Sequence, residues 1–233
     1  MMTNVPVTIY YEADQEAYWF RALSGHLSTA KLIKMDEHGR NPPKIDELLA
    51  YDVPDIILTV DNNPKLVLEK TEEVPTGHNV GQRFARLVRA AEAGVMVVFF
   101  LPFAAMKHGR YANVCYINAR LILAMLSVER IHGVPQLAID WSSDEHHELI
   151  RNGSENRQVS ALIDDLFLAS FDYRKVGKIE ELRRRMQDTY KEAVKRNPRY
   201  KRPPPSVRVE KTAKLVDYWS EQYRDFETRI LTS

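Results

Sequence analysis

The sequence predicts one α/β domain carrying a helical, basic C-terminal extension. Three observations predict it. Short strand-like runs alternate with helix-period stretches along the first 173 residues. Of 233 residues, 44% are hydrophobic. A chain of this size buries roughly 70% or more of its unfolded surface and needs neither metal nor disulfide to fold. Third, charge is segregated. Residues 1–173 hold 16 Lys+Arg and 23 Asp+Glu, a net of −7. Residues 174–214 hold 15 and 5, a net of +10, and the last 19 residues carry −2. The overall charge of +1 thus conceals an acidic body and a basic block suited to a polyanion or to a solvated helix face.

The elements follow in order. Residues 5–11 form a strand, 14–27 a helix and 31–35 a second strand. Asn41-Pro42-Pro43 starts a short helix at 44–51. The runs 55–60 and 65–71 flank Asp61-Asn62-Asn63-Pro64 and read as a β-hairpin. A helix at 80–93 follows, with Asn79 as N-cap and Gly94 just past its end, and then a buried-type strand at 95–101. Residues 114–131 are apolar on most sides, as in a central helix. Gly133-Val134-Pro135 breaks it before a strand at 136–141, and Ser142 or Ser143 caps a turn containing Asp144 and Glu145. A further apolar helix spans 161–171.

The basic block opens with an amphipathic helix at 178–196, placing Ile179, Leu182, Met186 and Tyr190 on one face. Asn197-Pro198 stops it, Lys201-Arg202-Pro203-Pro204-Pro205 is stiff and extended, and a final helix runs over 213–231. The first 173 residues are therefore expected to form the core domain, with 174–233 packed on it.

Several classes are excluded. No apolar run approaches the ~20 residues of a membrane span. The start MMTNVPVT has no basic segment followed by an apolar stretch, so no secretion signal is expected. A single cysteine, Cys115, suits a reducing cytoplasm and excludes a zinc ribbon. Neither a Walker loop, nor G-x-G-x-x-G, nor G-x-S-x-G occurs.

The most informative stretch is VPDIILTVDNNPKLVLEKTEE. Asp55 opens one strand and Glu69 lies near the end of the next, so a tight hairpin brings the two carboxylates together. Such a pair can hold Mg²⁺, which takes oxygen ligands and usually keeps several waters. The bland reading is that Asp55 starts a strand beside a turn and that 69–73 is a solvated acidic edge.

Pro54-Asp55, the hairpin and Glu69, with a helix before, a helix after and then another strand, resemble the PD-(D/E)XK nuclease core of type II restriction endonucleases and related phosphodiesterases. The resemblance covers residues 44–101, under a third of the chain. It implies a mixed sheet flanked by helices, Mg²⁺ on Asp55 and Glu69, and hydrolysis of double-stranded DNA. A homodimer is expected if both strands are cut at a palindrome, with a DNA methyltransferase as cellular companion.

The family pattern places lysine two positions after the acidic residue, where this chain has Thr71, with Lys70 one place early. Glu69 and Thr71 share one strand face, whereas Lys70 points with Leu66 and Leu68. A bulge near the strand end could redirect Lys70 into the site. Otherwise Thr71 orients water, or another side chain, with Glu72 and Glu47 as candidates, fills the role.

In the following helix the resemblance aims Gln82 at the metal site and Arg83 or Arg86 at a DNA phosphate, whose oxygens match the guanidinium fork. Asn79-x-x-Gln82 reads equally as an N-terminal capping pair. In the basic block, Glu180→Arg184 and Glu181→Arg185 pairs offset part of the charge. Lys195, Arg196, Arg199, Lys201 and Arg202, interleaved with Tyr200, read as a phosphate-tracking arm.

Asp144-Glu145-His146-His147-Glu148 lacks the spacing of a helical metal site and reads as an acidic helix start. Asp140 ends a strand without supporting neighbours, and Asp164-Asp165 sits on the polar side of a helix. Two rivals remain: a non-catalytic DNA-binding protein with a degenerate metal site, and a small-molecule α/β enzyme using Asp140 and 144–148.

Overall fold

The computed structural model describes residues 5–36, 39–75, 83–109 and 112–201, together with residues 214, 217 and 221. Its centre is a mixed six-stranded sheet in the order β2-β1-β3-β4-β5-β8. The strands are β1 (Val7–Tyr11), β2 (Lys31–Lys34), β3 (Ile56–Val60), β4 (Asn63–Lys70), β5 (Met96–Leu101) and β8 (Gln136–Asp140). β3 runs antiparallel to both β1 and β4, while β4, β5 and β8 are mutually parallel. β5 (MVVFFL) is buried along its whole length, as a strand with parallel neighbours and both faces covered must be. At the open edge, β2 carries exposed Lys31 and Lys34, charges that discourage pairing with another chain.

β3 and β4 form the expected hairpin. Asp61 and Asn62 both have positive φ (51° and 57°), the signature of a type I′ turn. The register then slips between Leu58 and Thr59, leaving Lys65 as the extra residue. This bulge lies near the turn rather than near Lys70.

The helices are α1 (Asp14–Ala22), α2 (Pro43–Leu48), α3 (Phe84–Glu92), α4 (Ala119–His132), α5 (Arg157–Leu168) and α6 (Gly177–Arg196). α4 starts later than its hydrophobic pattern suggests. Residues 113–116 instead form β7 (Asn113–Tyr116), which pairs with β6 (Ala104–Lys107) in a separate two-stranded sheet. Asn118 then caps the helix by accepting the Arg120 N–H (2.9 Å), and Gly133 (φ 71°) ends it in the left-handed conformation. The apolar helix expected at 161–171 is α5, shifted towards the N-terminus.

Residues 144–148 form a turn and not a helix start: Asp144 Oδ1 accepts the N–H groups of His146 (2.8 Å) and Glu148 (2.9 Å). α6 belongs to the core. Its Ile179, Leu182 and Met186 are buried with α4, α5 and β8, and Met186 Sδ lies 3.1 Å from the Ala138 N–H. Asn197 ends it and caps a following turn of 3₁₀ helix, Pro198–Tyr200. No described helix is long and apolar enough to cross a membrane.

Candidate active site at the sheet edge

The ends of β1, β2, β4, β5 and β8 and the start of β3 lie along one edge of the sheet, because β3 alone runs opposite to the strands that end there. Brought to this edge are Glu12 and Lys34 after β1 and in β2, Asp55 before β3, and Lys70 and Thr71 at the end of β4. The Glu12 N–H donates to the Asp55 carbonyl (3.0 Å), tying the two segments together. With Glu16 of α1 these residues line a cleft of about 640 Å³. A crevice beyond the carboxyl ends of strands is the usual place for a ligand in an open α/β sheet.

Asp55 is 5% exposed, and its Oδ2 accepts the Lys70 N–H at 2.5 Å. Burial raises its pKa, against that hydrogen bond and the charges of Arg83, Arg86 and Lys70. Glu69 is fully buried, and the hairpin register, with Ile56 against Leu68, sets it across from Asp55. Arg86 of α3 donates to both its oxygens (3.2 Å each) and Arg83 to one (3.1 Å). Arg86 also pairs with Asp52 and stands 4.0 Å from Asp55 Oδ1. Burial nonetheless pushes the Glu69 carboxyl up to about 8, helped by the charge of Asp55 and opposed by the two arginines.

Lys70 occupies the other face. Its ammonium lies 4.9 Å from the ring centroid of Trp141 and 5.3 Å from that of Trp19, and pairs with Glu72 at 3.0 Å. Trp19, Phe100 and Trp141 stack in a column beside it. Alternation thus separates Glu69 from Lys70, and Lys70 reaches the cleft from the α1 side without any bulge at the strand end. Thr71, 6% exposed, lines the cleft and accepts the Glu73 N–H at 3.1 Å. Glu72 pairs with Arg151 (2.9 Å) as well as Lys70, and Glu47 with Arg89 (2.8 Å), away from the carboxylates. Gln82 and Asn79, with the rest of 76–82, lie outside the described residues.

Glu16 is the site residue that sequence reasoning missed. Burial pushes its carboxyl up to about 7, aided by the charges of Asp55 and Glu12 and opposed by Lys70 and Arg83. Its Oε2 is buried without a hydrogen-bond partner. In the sequence an acidic residue in a first helical turn is explained by the dipole alone. Only the placement of β1 beside β3 carries it to Asp55.

Glu16 and Asp55 fit a hard divalent cation: a half-buried and a buried carboxylate in a water-accessible cleft, with the charge of Asp55 raising the proton affinity of Glu16, whose Oε2 is orphaned. Among the described residues, no three carboxylate, histidine or cysteine side chains converge on one point, and the oxygens of Glu69 accept from the two arginines.

The other candidates are placed as follows. Lys195 pairs with Glu192 (2.6 Å), Arg196 lies over the Tyr116 ring, and Arg199 and Lys201 are exposed. Arg185 pairs with Glu181 as expected, but Glu180 pairs with Arg183 rather than through its side chain with Arg184. Arg202 and nearly all of the expected final helix lie outside the described residues, though Lys214, Asp217 and Glu221 are helical. Asp140 Oδ1 accepts the Phe103 N–H (2.7 Å), a structural bond that ties β8 to the loop after β5. His147 touches the edge of Tyr116 and His108 pairs with Glu148. No protein-family model, curated protein or solved structure matches the chain.

Proposed function

We propose that the protein is a Mg²⁺-dependent endonuclease that hydrolyses phosphodiester bonds in double-stranded DNA, resembling a type II restriction enzyme. The observation that carries this reading is the pair of buried carboxylates, Asp55 and Glu69, at the ends of a hairpin whose second strand leads through a helix to a parallel neighbour. Asp55 and Glu16 would hold the ion, with Glu69 joining them once Arg83 and Arg86 turn to the phosphate. When bound, the ion would acidify a water and offset charge on the phosphate oxygens. Lys70 borders the cleft with its charge held over two indole rings, placed to neutralise a phosphate oxygen, while Thr71 can orient a water. The basic block of 174–214 supplies the grip on DNA. The same reading carries a cytoplasmic homodimer cutting both strands and, from the resemblance alone, a companion DNA methyltransferase.

Incubation of the full chain with mixed-sequence plasmid and Mg²⁺ is expected to give discrete fragments. EDTA abolishes them, and Asp55→Asn or Glu69→Gln slows their formation by roughly 100-fold or more. Because Glu16 and Glu69 retain protons up to about 7 and about 8, cleavage rises with pH through that window as the ion displaces protons.

A second reading has its own observation. Arg83 and Arg86 already donate to both oxygens of Glu69, as in a DNA-binding protein whose metal site has been filled by arginine side chains. Retardation of DNA without cutting at any pH favours that reading.

A further inference from the structure

The cations of the C-terminal third fall into two sets. Along α6, Lys178, Arg183, Arg185, Lys191 and Lys195 are paired with carboxylates, while Arg184 meets only the Glu180 carbonyl. Beyond them, Arg196, Arg199 and Lys201 have no carboxylate partner among the described residues, and neither has Arg120 at the start of α4. Two of these guanidiniums lie over tyrosine rings. Arg196 stands 4.1 Å from the ring centroid of Tyr116, and Arg120 5.9 Å from that of Tyr200. The Tyr190 hydroxyl donates to the Tyr200 carbonyl (2.9 Å), anchoring the turn that carries Tyr200 to α6.

The fold brings this cluster to the carboxylate edge. Gly177, at the start of α6, shares a cleft with Pro135, which precedes β8, and Met186 touches Ala138 in mid-strand. α6 therefore runs along β8, and its last residue, Arg196, reaches the edge where β8 ends. Tyr116 pairs with Ala104, just beyond the end of β5, and the Ile117 N–H donates to the Phe103 carbonyl (2.7 Å). Tyr116 thus stands on the same edge as Asp55 and Lys70.

A surface that only gripped duplex phosphates would need cations alone. Here two of the four cations are laid on aromatic rings, and Tyr116 remains 46% exposed. A ring stacks an unpaired base whatever its identity, and a guanidinium held flat against a ring keeps its fork available for phosphate. Duplex DNA keeps its bases stacked on one another and cannot use such a surface.

We propose that the Tyr116–Arg196 and Tyr200–Arg120 pairs form a stacking platform for single-stranded DNA, which receives an unpaired stretch of substrate beside the carboxylate edge. That the strand is substrate rests on the nuclease reading; that it binds does not. The test is fluorescence anisotropy on the full chain in EDTA, with a labelled oligothymidine, an oligouridine and a blunt duplex of equal length. Tyr116→Ala is expected to weaken oligothymidine binding by roughly 5- to 100-fold, the loss of about one stacked base. Tyr116→Phe, which keeps the ring, retains the affinity, and duplex binding is unchanged in both variants. An unchanged oligothymidine affinity in Tyr116→Ala, or an equal loss for the duplex, overturns the platform. Tighter binding of oligouridine than of oligothymidine overturns its assignment to DNA. Failure of the separate cleavage assay with Mg²⁺ removes the nuclease reading and leaves the platform standing, whereas loss of the Tyr116 effect does the reverse.

Discussion

Asp140 and Glu69, the one half-buried and the other fully buried, are acids held in different ways. Burial pushes Asp140 up to about 6, against the hydrogen bond from Phe103 and the charge of Arg185. A carboxyl whose pKa rises on folding costs stability as pH climbs from its unfolded value of 3.8 through about 6. Asp140→Asn keeps an acceptor for the Phe103 N–H and removes that cost. Its urea midpoint should match the wild type in acid, exceed it increasingly up to pH about 6, and then run parallel. Parallel curves throughout would show that Asp140 does not titrate in this window. Glu69 depends instead on arginine. With Arg86→Met its proton affinity rises further, so the loss of stability is small while the carboxyl stays protonated. It grows above pH about 8 towards about 3 kcal/mol, as for a buried charge deprived of its partner. Chemical denaturation at two pH values on either side of 8 reads the difference.

The hairpin is the element that aligns Asp55 with Glu69, and its turn sets the register. Asn62 holds φ at 57°, a conformation that asparagine and glycine adopt readily and that residues with an ordinary β-carbon adopt at a cost. Asn62→Ala should lower stability by about 1 kcal/mol, while Asn62→Gly leaves it equal or higher, as thermal melts would show. This element was legible because Asp61-Asn62-Asn63-Pro64 and the apolar runs on either side speak the local language of turns and strands. The register slip at Lys65 was not legible, since nothing local distinguishes the extra residue from its neighbours. The β6–β7 pair was equally hidden: Ala104–Lys107 has little strand preference, and β7 reads as the start of the helix that follows it.

For the molecule as a whole, the change of charge near residue 174 does not coincide with the edge of the core. The cation-rich helix α6 contributes Ile179, Leu182 and Met186 to the same buried cluster as β5 and β8. A chain ending at residue 173 exposes the apolar faces of α4 and β8. It should lack cooperative thermal unfolding, whereas one ending at residue 201 should retain it. Cooperative melting of the 1–173 fragment, followed by circular dichroism, would overturn this view. Polarity and packing are read from different faces of one helix, which allows a basic block to be part of a hydrophobic core.

What the sequence determined by itself is what depends on neighbours within one element. It includes the alternation of strands and helices, the hairpin carrying Asp55 and Glu69, the buried face of α6 and the concentration of positive charge beyond it. Periodicity, turn chemistry and composition act over a few residues and can be read in order. The tertiary structure alone decided which distant groups meet. It set Glu16 across the cleft from Asp55, gave Glu69 to Arg83 and Arg86, placed Lys70 between Trp19 and Trp141, and laid Arg196 on Tyr116. These meetings follow from sheet order, because β1 and β3, and likewise β5 and β8, are neighbours in space without being neighbours in the chain. The energies involved, burial of charge and stacking on rings, arise only once that order has removed water from the site.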